Sequence, residues 1–404
     1  MTDSSPATGP LAGLKVIELC HVMAGPACGL MLADMGADVI KVEKIPGGDD
    51  TRRSVPPSIH GESAAYLMMN RNKRGVALDL KTAGGKAVLR RLLADADVVT
   101  ENYRAGTLEK MGFGYEALKV ENPRLIYCSI SGFGRTGPYA ERGGFDLVAQ
   151  GMSGLMSITG EGPGRPPVKL GAPVTDITAG LLGCMGILAA LNHRHRTGRG
   201  QMVDTSLFEA GITHTYWQSA IAFASGLAPQ PMGSAHPLNA PYQAFQTADG
   251  WITVGAANQP NWLRLAEVLD APDLAEDARF RTNPDRMAHL AELEVALTTH
   301  FRRRTSADWL ARLEAAGVPA GPVLDINQMH QDPQAIARDM IVETAHPTAG
   351  PVKALGLPIK FSDSPGGGLR PAPLYGQHTR EVLLEHGFAA AEIDLLAAAG
   401  AIRV

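Results

Sequence analysis

The chain reads as an α/β protein, a mostly parallel sheet wound with helices, followed by a smaller α+β region. Three features predict this. Short runs of apolar and β-branched residues recur, such as LKVIELCH at Leu14–His21 and DVIKVE at Asp38–Glu43. Helical stretches separate these runs, which is the alternation of a wound parallel sheet. The alternation then breaks at Ser225–Pro241, rich in Gly, Pro and Ala, and a hairpin pattern with further helices follows.

Leu14–His21 has the apolar, β-branched pattern of a buried strand. Val22–Pro26 reads as a loop, Ala27–Met35 as an apolar helix that Gly36 stops, and Asp38–Glu43 as the second strand, so the chain opens as a β-α-β unit. Gly75–Leu80 is the next strand, Thr82–Ala94 a helix and Asp97–Thr100 a strand. Short helices at Gly106–Met111 and Tyr115–Glu121 precede a strand at Leu125–Ser131. Gly and Pro dominate Gly132–Val174; Asp176 then opens a long apolar helix reaching about Arg196. Met202–Ser206 is a strand and Leu207–Ala224 another apolar helix. Past the linker, Tyr242–Thr247 and Trp251–Ala256 flank an Ala-Asp-Gly turn as a hairpin, with helices near Gln259–Leu269, Arg286–Arg302 and Ser306–Ala315. Gly317–Val323 turns the chain again, Leu374–Gly387 is a turn feeding an amphipathic helix, and a last helix lies near Ala390–Ala399. The domain boundaries expected are 1–225 for the first part of a large domain, 226–345 for linker and small domain, and 346–404 for a return to the large one.

At 404 residues, 45% hydrophobic and 19% charged, the chain has the composition of a soluble globular protein with room for two or three domains. Its net charge of −4 leaves no nucleic-acid footprint, so an anionic ligand must be met by a local basic cluster. Cys20, Cys28, Cys128 and Cys184 have no zinc or CxxC spacing; buried free thiols in a reducing, cytoplasmic compartment are expected. MTDSSPATGP lacks the basic and apolar regions of a signal peptide. The longest apolar stretches contain glycine and end in charge short of a membrane span, so no membrane partner is expected.

Gly132-Phe-Gly-Arg-Thr-Gly137 follows a strand and matches GxGxxG, yet Pro138 comes next and no apolar helix opens there. A dinucleotide fingerprint needs that helix start for its pyrophosphate, so a glycine turn is the better reading. Asp176 stands immediately before an apolar run, the place of a helix N-cap, and a carboxylate there would also lie beside exposed backbone N–H groups. Gly180, Gly183 and Gly186 share one helical face that would admit a ligand or, more simply, a neighbouring helix. Lys41, Lys44, Arg52, Arg53, Arg71, Lys73, Arg74, Arg104 and Lys110 cluster along the first third of the chain, where phosphates could dock. His193 and His195 sit in a basic helix end and read as capping residues rather than metal ligands; no metal site is expected.

Taken together, LAGLKVIELCHVMAGP, LADMGADVIKVEKIPGGDD, NRNKRGVALDL, DVVTENYRAGTLEKMGFG, NPRLIYCSIS, the segment Ala172–Gly180, RTGRGQMVDTS, Gly233–Phe245 and Ala372–Gly387 resemble the class III CoA-transferases, the family of formyl-CoA transferase and carnitine CoA-transferase, over nearly the whole chain. The resemblance implies a split Rossmann-like large domain, a smaller domain and an interlocked homodimer. It implies Asp176 as nucleophile. It implies CoA contacts at Val22, Met23, Ala24, Lys44, Asn102, Tyr103, Lys110 and Met111, and an aromatic-acidic pair at Phe145 and Asp146 beside the reacting centre. No cofactor beyond coenzyme A as substrate is implied. Against formyl-CoA transferase, Met23 replaces a glutamine, Phe145 replaces a tyrosine, and Met232–His236 is the nearest segment to its glycine-rich flap. The pattern is closer to the enzymes that pair succinyl-CoA with a dicarboxylate.

The implied chemistry is covalent exchange through an aspartyl anhydride and an aspartyl-CoA thioester. An α-methylacyl-CoA racemase of this fold needs a histidine where Phe145 stands, and a non-catalytic acyl-CoA binding protein needs no acid at position 176. A dicarboxylate acceptor requires a cation for its distal group. Arg52 is the candidate, with a CoA phosphate or a nearby acid as its alternative partners.

Overall fold

The structure is a computed structural model that describes residues 9–404. Of the N-terminal stretch read above, only Gly9 and Pro10 lie among the described residues. The fold is mixed α/β around a mostly parallel sheet. One compact unit gathers the residues up to Leu155, Lys169–Ala220 and Pro333–Val404; the other gathers Met156–Val168 and Ile221–Asp332.

Six parallel strands form the sheet of the first unit: β1 (Lys15–Leu19), β2 (Asp38–Lys44), β3 (Arg74–Leu78), β4 (Val98–Glu101), β5 (Ile126–Ser131) and β6 (Met202–Ser206). Their order is β3-β2-β1-β4-β5-β6, with the short strand Ile402–Arg403 antiparallel on the outer edge of β3. Side chains of a strand alternate between faces. Ile17 and Leu19 accordingly join one core with Ile40, Val42 and Val76, while Val16 joins the other with Val39, Val98 and Ile126. Both faces are covered, which is why apolar residues occupy both faces of these strands and the polar ones within them, such as Glu18 and Lys41, are paired.

The chain builds β1, β2 and β3 toward one edge and β4, β5 and β6 toward the other. The direction of winding therefore reverses between β1 and β4. In open α/β sheets the crevice beyond the carboxyl ends of the strands at such a reversal is where ligands bind.

Helix α1 (Ala24–Asp34) starts three residues earlier than the sequence reading placed it. Pro26 lies in the first turn, where a missing N–H costs nothing, so it begins the helix rather than delaying it. After α2 (Thr107–Met111) and α3 (Asp146–Met152) comes α4 (Val174–Thr197), which Gly198 ends in the left-handed region, its N–H donating to Arg194 O at 2.8 Å. The glycines of α4 are packing contacts. A methyl on Gly180 would lie 2.5 Å from Ala24 O, one on Gly183 2.9 Å from Ile130 Cδ1, and one on Gly186 2.5 Å from Val203 Cγ1.

By length and composition α4 is long and apolar enough to cross a membrane, which corrects the reading that every apolar stretch falls short. Glycine interrupts the run of large side chains without making it polar. Ala179, Gly183, Ile187 and Leu191 are buried against the sheet, the placing of a core helix. The helix foreseen over Leu207–Ala224 is two, Leu207–Thr213 and Tyr216–Ser225, and that over Arg286–Arg302 is also two, Asn283–Ala288 and Leu290–Phe301.

The second unit has the expected hairpin, Tyr242–Gln246 with Trp251–Gly255, extended by Ala320–Pro322. Phe245, Trp262, Phe301 and Trp309 fill its core. Within it, Met232–His236 is held by Gly233 N–H on Gly160 O at 2.8 Å.

All four cysteines are buried and free. Though remote in sequence, Cys28 and Cys128 lie in one buried cluster, and the neighbouring Cys128 thiol and then burial push the Cys28 thiol up.

Candidate active site

The carboxyl ends of β1 and β4 are tied to one another. His21 N–H donates to Asn102 Oδ1 at 3.0 Å, and Asn102 Nδ2 returns a bond to His21 O at 2.7 Å. The His21 and Tyr103 rings meet edge to face at 4.9 Å. His21 carried no signal of its own in the sequence; it matters through the backbone groups it offers Asn102.

Val22 follows with φ 70°, a conformation costly for a β-branched residue. Its N–H is held by Asp49 Oδ1 at 3.2 Å, and Thr51 N and Oγ1 converge on the same oxygen at 2.9 and 2.7 Å. The other Asp49 oxygen pairs with Lys41 at 2.8 Å. Lys41 is fully buried; it also pairs with Glu18 at 3.0 Å and donates to Cys20 O at 2.8 Å. Lys73 closes the cluster on Glu18 at 2.9 Å. Burial opposes ionisation of Asp49, but Lys41 outweighs it and holds the carboxyl well below the usual carboxylate range. One buried charge network therefore supports the loop Val22–Ala24 from beneath.

The same network corrects the basic cluster. Lys41 and Lys73 face Glu18, Arg71 pairs with Asp34, and Arg74 with Asp38 at 2.6 Å and Glu385 at 2.7 Å. These cations hold the fold and are not open to phosphate. Arg52 is corrected likewise. Its Nε and Nη2 grip the two oxygens of Glu43 at 2.7 Å each, Nη2 also reaches Pro373 O at 3.0 Å, and the guanidinium lies 3.6 Å over the Tyr66 ring. The fork is committed to a neighbouring acid and is not available to a substrate carboxylate. Lys44 and Lys110 remain exposed, Lys44 with an ion pair to Asp50 at 2.7 Å. Met111 packs on the core.

Asp176 is not the N-cap. Pro173 holds that position, and Asp176 lies in the first turn of α4. A methyl on Gly180 would meet Ala24 O, Ala27 Cβ and Cys28 N, and Ala24, Cys28, Ala179 and Cys184 share one buried cluster, so α1 and α4 pack along one another. One turn back from Gly180, on the same face, Asp176 comes level with the start of α1 and the Val22–Ala24 loop. Its carboxylate is half-buried and accepts no hydrogen bond among the described residues; burial, then the negative charge of Asp146, raises its pKa to about 6.

Asp146 opens α3 and is fully engaged. Oδ1 accepts from Thr175 N at 3.0 Å and Thr175 Oγ1 at 2.8 Å, and Oδ2 accepts from Gln150 Nε2 at 2.7 Å. Gln150 Oε1 in turn holds Leu170 N at 2.9 Å. Asp146 thus fixes the residue before Asp176 rather than reaching into open space. Phe145 precedes it with 75% of its surface exposed. The glycines around this turn allow a close crossing, since a methyl on Gly132 would lie 2.6 Å from Gly144 Cα. With the positive φ of Gly134 and Gly137, that crossing accounts for all three glycines of the GxGxxG match as a turn.

At about 6, Asp176 is mostly ionised at neutral pH, the form in which a carboxylate can attack a carbonyl. The acid limb of kcat/KM is expected to follow its protonation, with activity falling as pH drops through about 6. Asp146→Asn removes one of the two causes of the raised pKa, so the limb moves to lower pH by less than the whole displacement, because burial remains. A pH–rate profile of both proteins checks this; an unmoved limb contradicts it.

A model of CoA-transferase family III matches residues 11–379. The chain is 44% identical over 391 residues to a succinate–glutarate CoA-transferase of Agrobacterium fabrum, covering 95% of this chain and 98% of that protein. It is 38% identical over 376 residues to a human succinyl-CoA:glutarate CoA-transferase, covering 93% and 86%. A crystal structure of a CAIB/BAIF family protein from Brucella suis superposes with a TM-score of 0.84 at 42% identity, covering 94% of this chain and all of that one.

Proposed function

The chain belongs to CoA-transferase family III, and from that premise we propose that it moves CoA from succinyl-CoA to a small dicarboxylate, with Asp176 as nucleophile. The observation that carries this is Asp176 itself: a half-buried carboxylate with a raised pKa, opening a core helix level with the loop at the winding reversal.

In the proposed exchange an Asp176 oxygen attacks the thioester carbonyl, expelling CoA thiolate and forming a mixed anhydride. The thiolate attacks the aspartyl carbonyl, releasing the donor acid and leaving aspartyl-CoA. The acceptor carboxylate attacks that thioester, again expelling thiolate, and the thiolate takes the acceptor acyl group, freeing Asp176. Bonds made and broken balance at each step and no net proton moves. Val22, Met23, Ala24, Lys44, Asn102, Tyr103 and Lys110 are proposed to contact CoA, with Met111 supporting them from the core. Phe145 is proposed to cover the reacting centre.

With Arg52 committed to Glu43, the proposed cation for the distal carboxylate is Arg104. It is exposed, lies against the Gly143–Asp146 turn, with a methyl on Gly143 3.3 Å from Nη2, and has no acid partner among the described residues. Glutarate is expected to be a far better acceptor than butyrate, and Arg104→Leu to raise KM for glutarate about tenfold or more with little change for succinyl-CoA. Equal transfer to butyrate in a mass-spectrometric assay of CoA products contradicts the class.

We also propose a split Rossmann-like large domain and a homodimer of interlocked subunits. Ile177, Leu181, Met185 and Leu188 leave an apolar stripe exposed on the outer face of α4, which a second copy would cover. A folded monomer at micromolar concentration in sedimentation would contradict it. The four buried free thiols support a reducing, cytoplasmic location; disulfide-linked protein recovered from cells would contradict that.

A further inference from the structure

The glycine loop Gly132–Gly137 carries one cation, Arg135. Arg135 reaches from it with Nη1 on Glu101 Oε1 at 3.1 Å and on Ser129 Oγ at 3.2 Å, while Nη2 pairs with Glu109. The loop is anchored for the purpose, with Arg135 N–H on Asp204 Oδ2 at 3.1 Å and Gly134 N–H on Ser131 Oγ at 2.9 Å. Glu101 ends β4 and is 1% exposed. Its Oε2 accepts from Tyr103 N at 2.9 Å, so it sets the turn that presents Asn102 and Tyr103. Glu109 lies on α2, immediately before Lys110.

We propose that Arg135 is a positioning residue for the thioester substrate: its guanidinium holds Glu101 and Glu109 together and so fixes, at one point, the two segments Asn102–Tyr103 and Lys110–Met111. The inference rests on the assignment of those segments to CoA made above. A guanidinium suits the task because its planar fork serves two acids and a hydroxyl at once, whereas an ammonium is a single point of charge. Removing Arg135 leaves Glu101 buried without a counter-charge and frees α2 from the end of β4. It leaves the Asp146–Thr175 contacts that orient Asp176 untouched.

The test is calorimetric titration of the full-length protein with CoA, joined to steady-state kinetics. Arg135→Gln is expected to weaken CoA binding about tenfold and to raise KM for succinyl-CoA similarly, with kcat and KM for the acceptor acid within about twofold of the parent. Arg135→Lys should recover part of the affinity. Glu109→Gln, a change at a half-open surface that leaves the fold intact, should show a smaller loss, and combining it with Arg135→Gln should add little to Arg135→Gln alone, as residues in one network behave. CoA affinity of Glu109→Gln and Arg135→Gln within twofold of the parent overturns the proposal, as does a fall in kcat without a change in CoA affinity. A parent protein that binds CoA and transfers none would sink the transferase reading and still allow the Arg135 comparison to be read.

Discussion

Asp176→Asn is expected to abolish CoA transfer and at the same time to make the fold more stable. The loss should be roughly 10⁴-fold or greater in kcat, because an amide cannot form the anhydride and nothing else in the site supplies a covalent route. The gain in stability follows from the raised pKa. A carboxyl whose pKa is higher in the folded chain than in the unfolded one opposes folding once ionised. That cost grows between the ordinary carboxylate range and about 6, and is fully present above it. Asparagine removes the charge. After allowance for solvent screening of a half-buried group, the expected gain at neutral pH is about 1 kcal/mol, read as a higher urea midpoint. The gain should shrink as pH falls below about 6, where Asp176 itself becomes neutral. An Asp176→Asn protein that retains turnover, or one that is less stable than the parent at pH 7, contradicts this account of the site.

Lys41→Met is expected to cost about 3–5 kcal/mol of stability, because it strips Glu18 and Asp49 of a shared counter-charge where water cannot replace it. The damage should extend to function in the protein that still folds. Asp49 holds Val22 N–H, and Cys20 O loses its donor, so the loop at the start of α1 loosens. CoA affinity should fall with stability. The pair to compare is Lys41→Met with Asp49→Asn/Lys41→Met, which keeps the Glu18–Lys73 pair, leaves no unpaired acid in the cluster and should regain part of the loss. Chemical denaturation of the three proteins is the measurement, and a Lys41→Met protein as stable as the parent would show that the network is not what supports the loop.

The sheet was legible in the sequence because its strands are rich in apolar and β-branched residues that recur between helical stretches, even with Glu18 and Lys41 inside them; β2 and β6 lie within a residue of the runs that announced them. Helix starts were less so. Nothing local distinguishes Pro26 in a loop from Pro26 in a first turn, and the break between Leu207–Thr213 and Tyr216–Ser225 falls at His214-Thr215, where no proline or glycine marks it. Asp176 as nucleophile came from the family resemblance; from local pattern it looked like a cap, and the structure gives that place to Pro173.

Charge partners were the least legible part. Arg52 has the chemistry of a carboxylate clamp and does clamp one, but the acid is Glu43, nine residues back across a turn at Gly47 and Gly48. Lys41 and Lys73 look like surface cations in sequence because Glu18, their common partner, is brought to them only when β1, β2 and β3 align. Sequence names the type of a charged group, while the pairing across strands decides whether it meets substrate or another side chain.

The most direct test of the central claim is trapping of the covalent enzyme. The protein is incubated with succinyl-CoA, reduced with borohydride or treated with hydroxylamine, digested, and mapped by mass spectrometry. The account predicts that Asp176 is recovered as the corresponding alcohol or hydroxamate, in a yield that tracks loss of activity and vanishes in Asp176→Asn. An unmodified Asp176 in protein that was turning over, or modification confined to another residue, would contradict it.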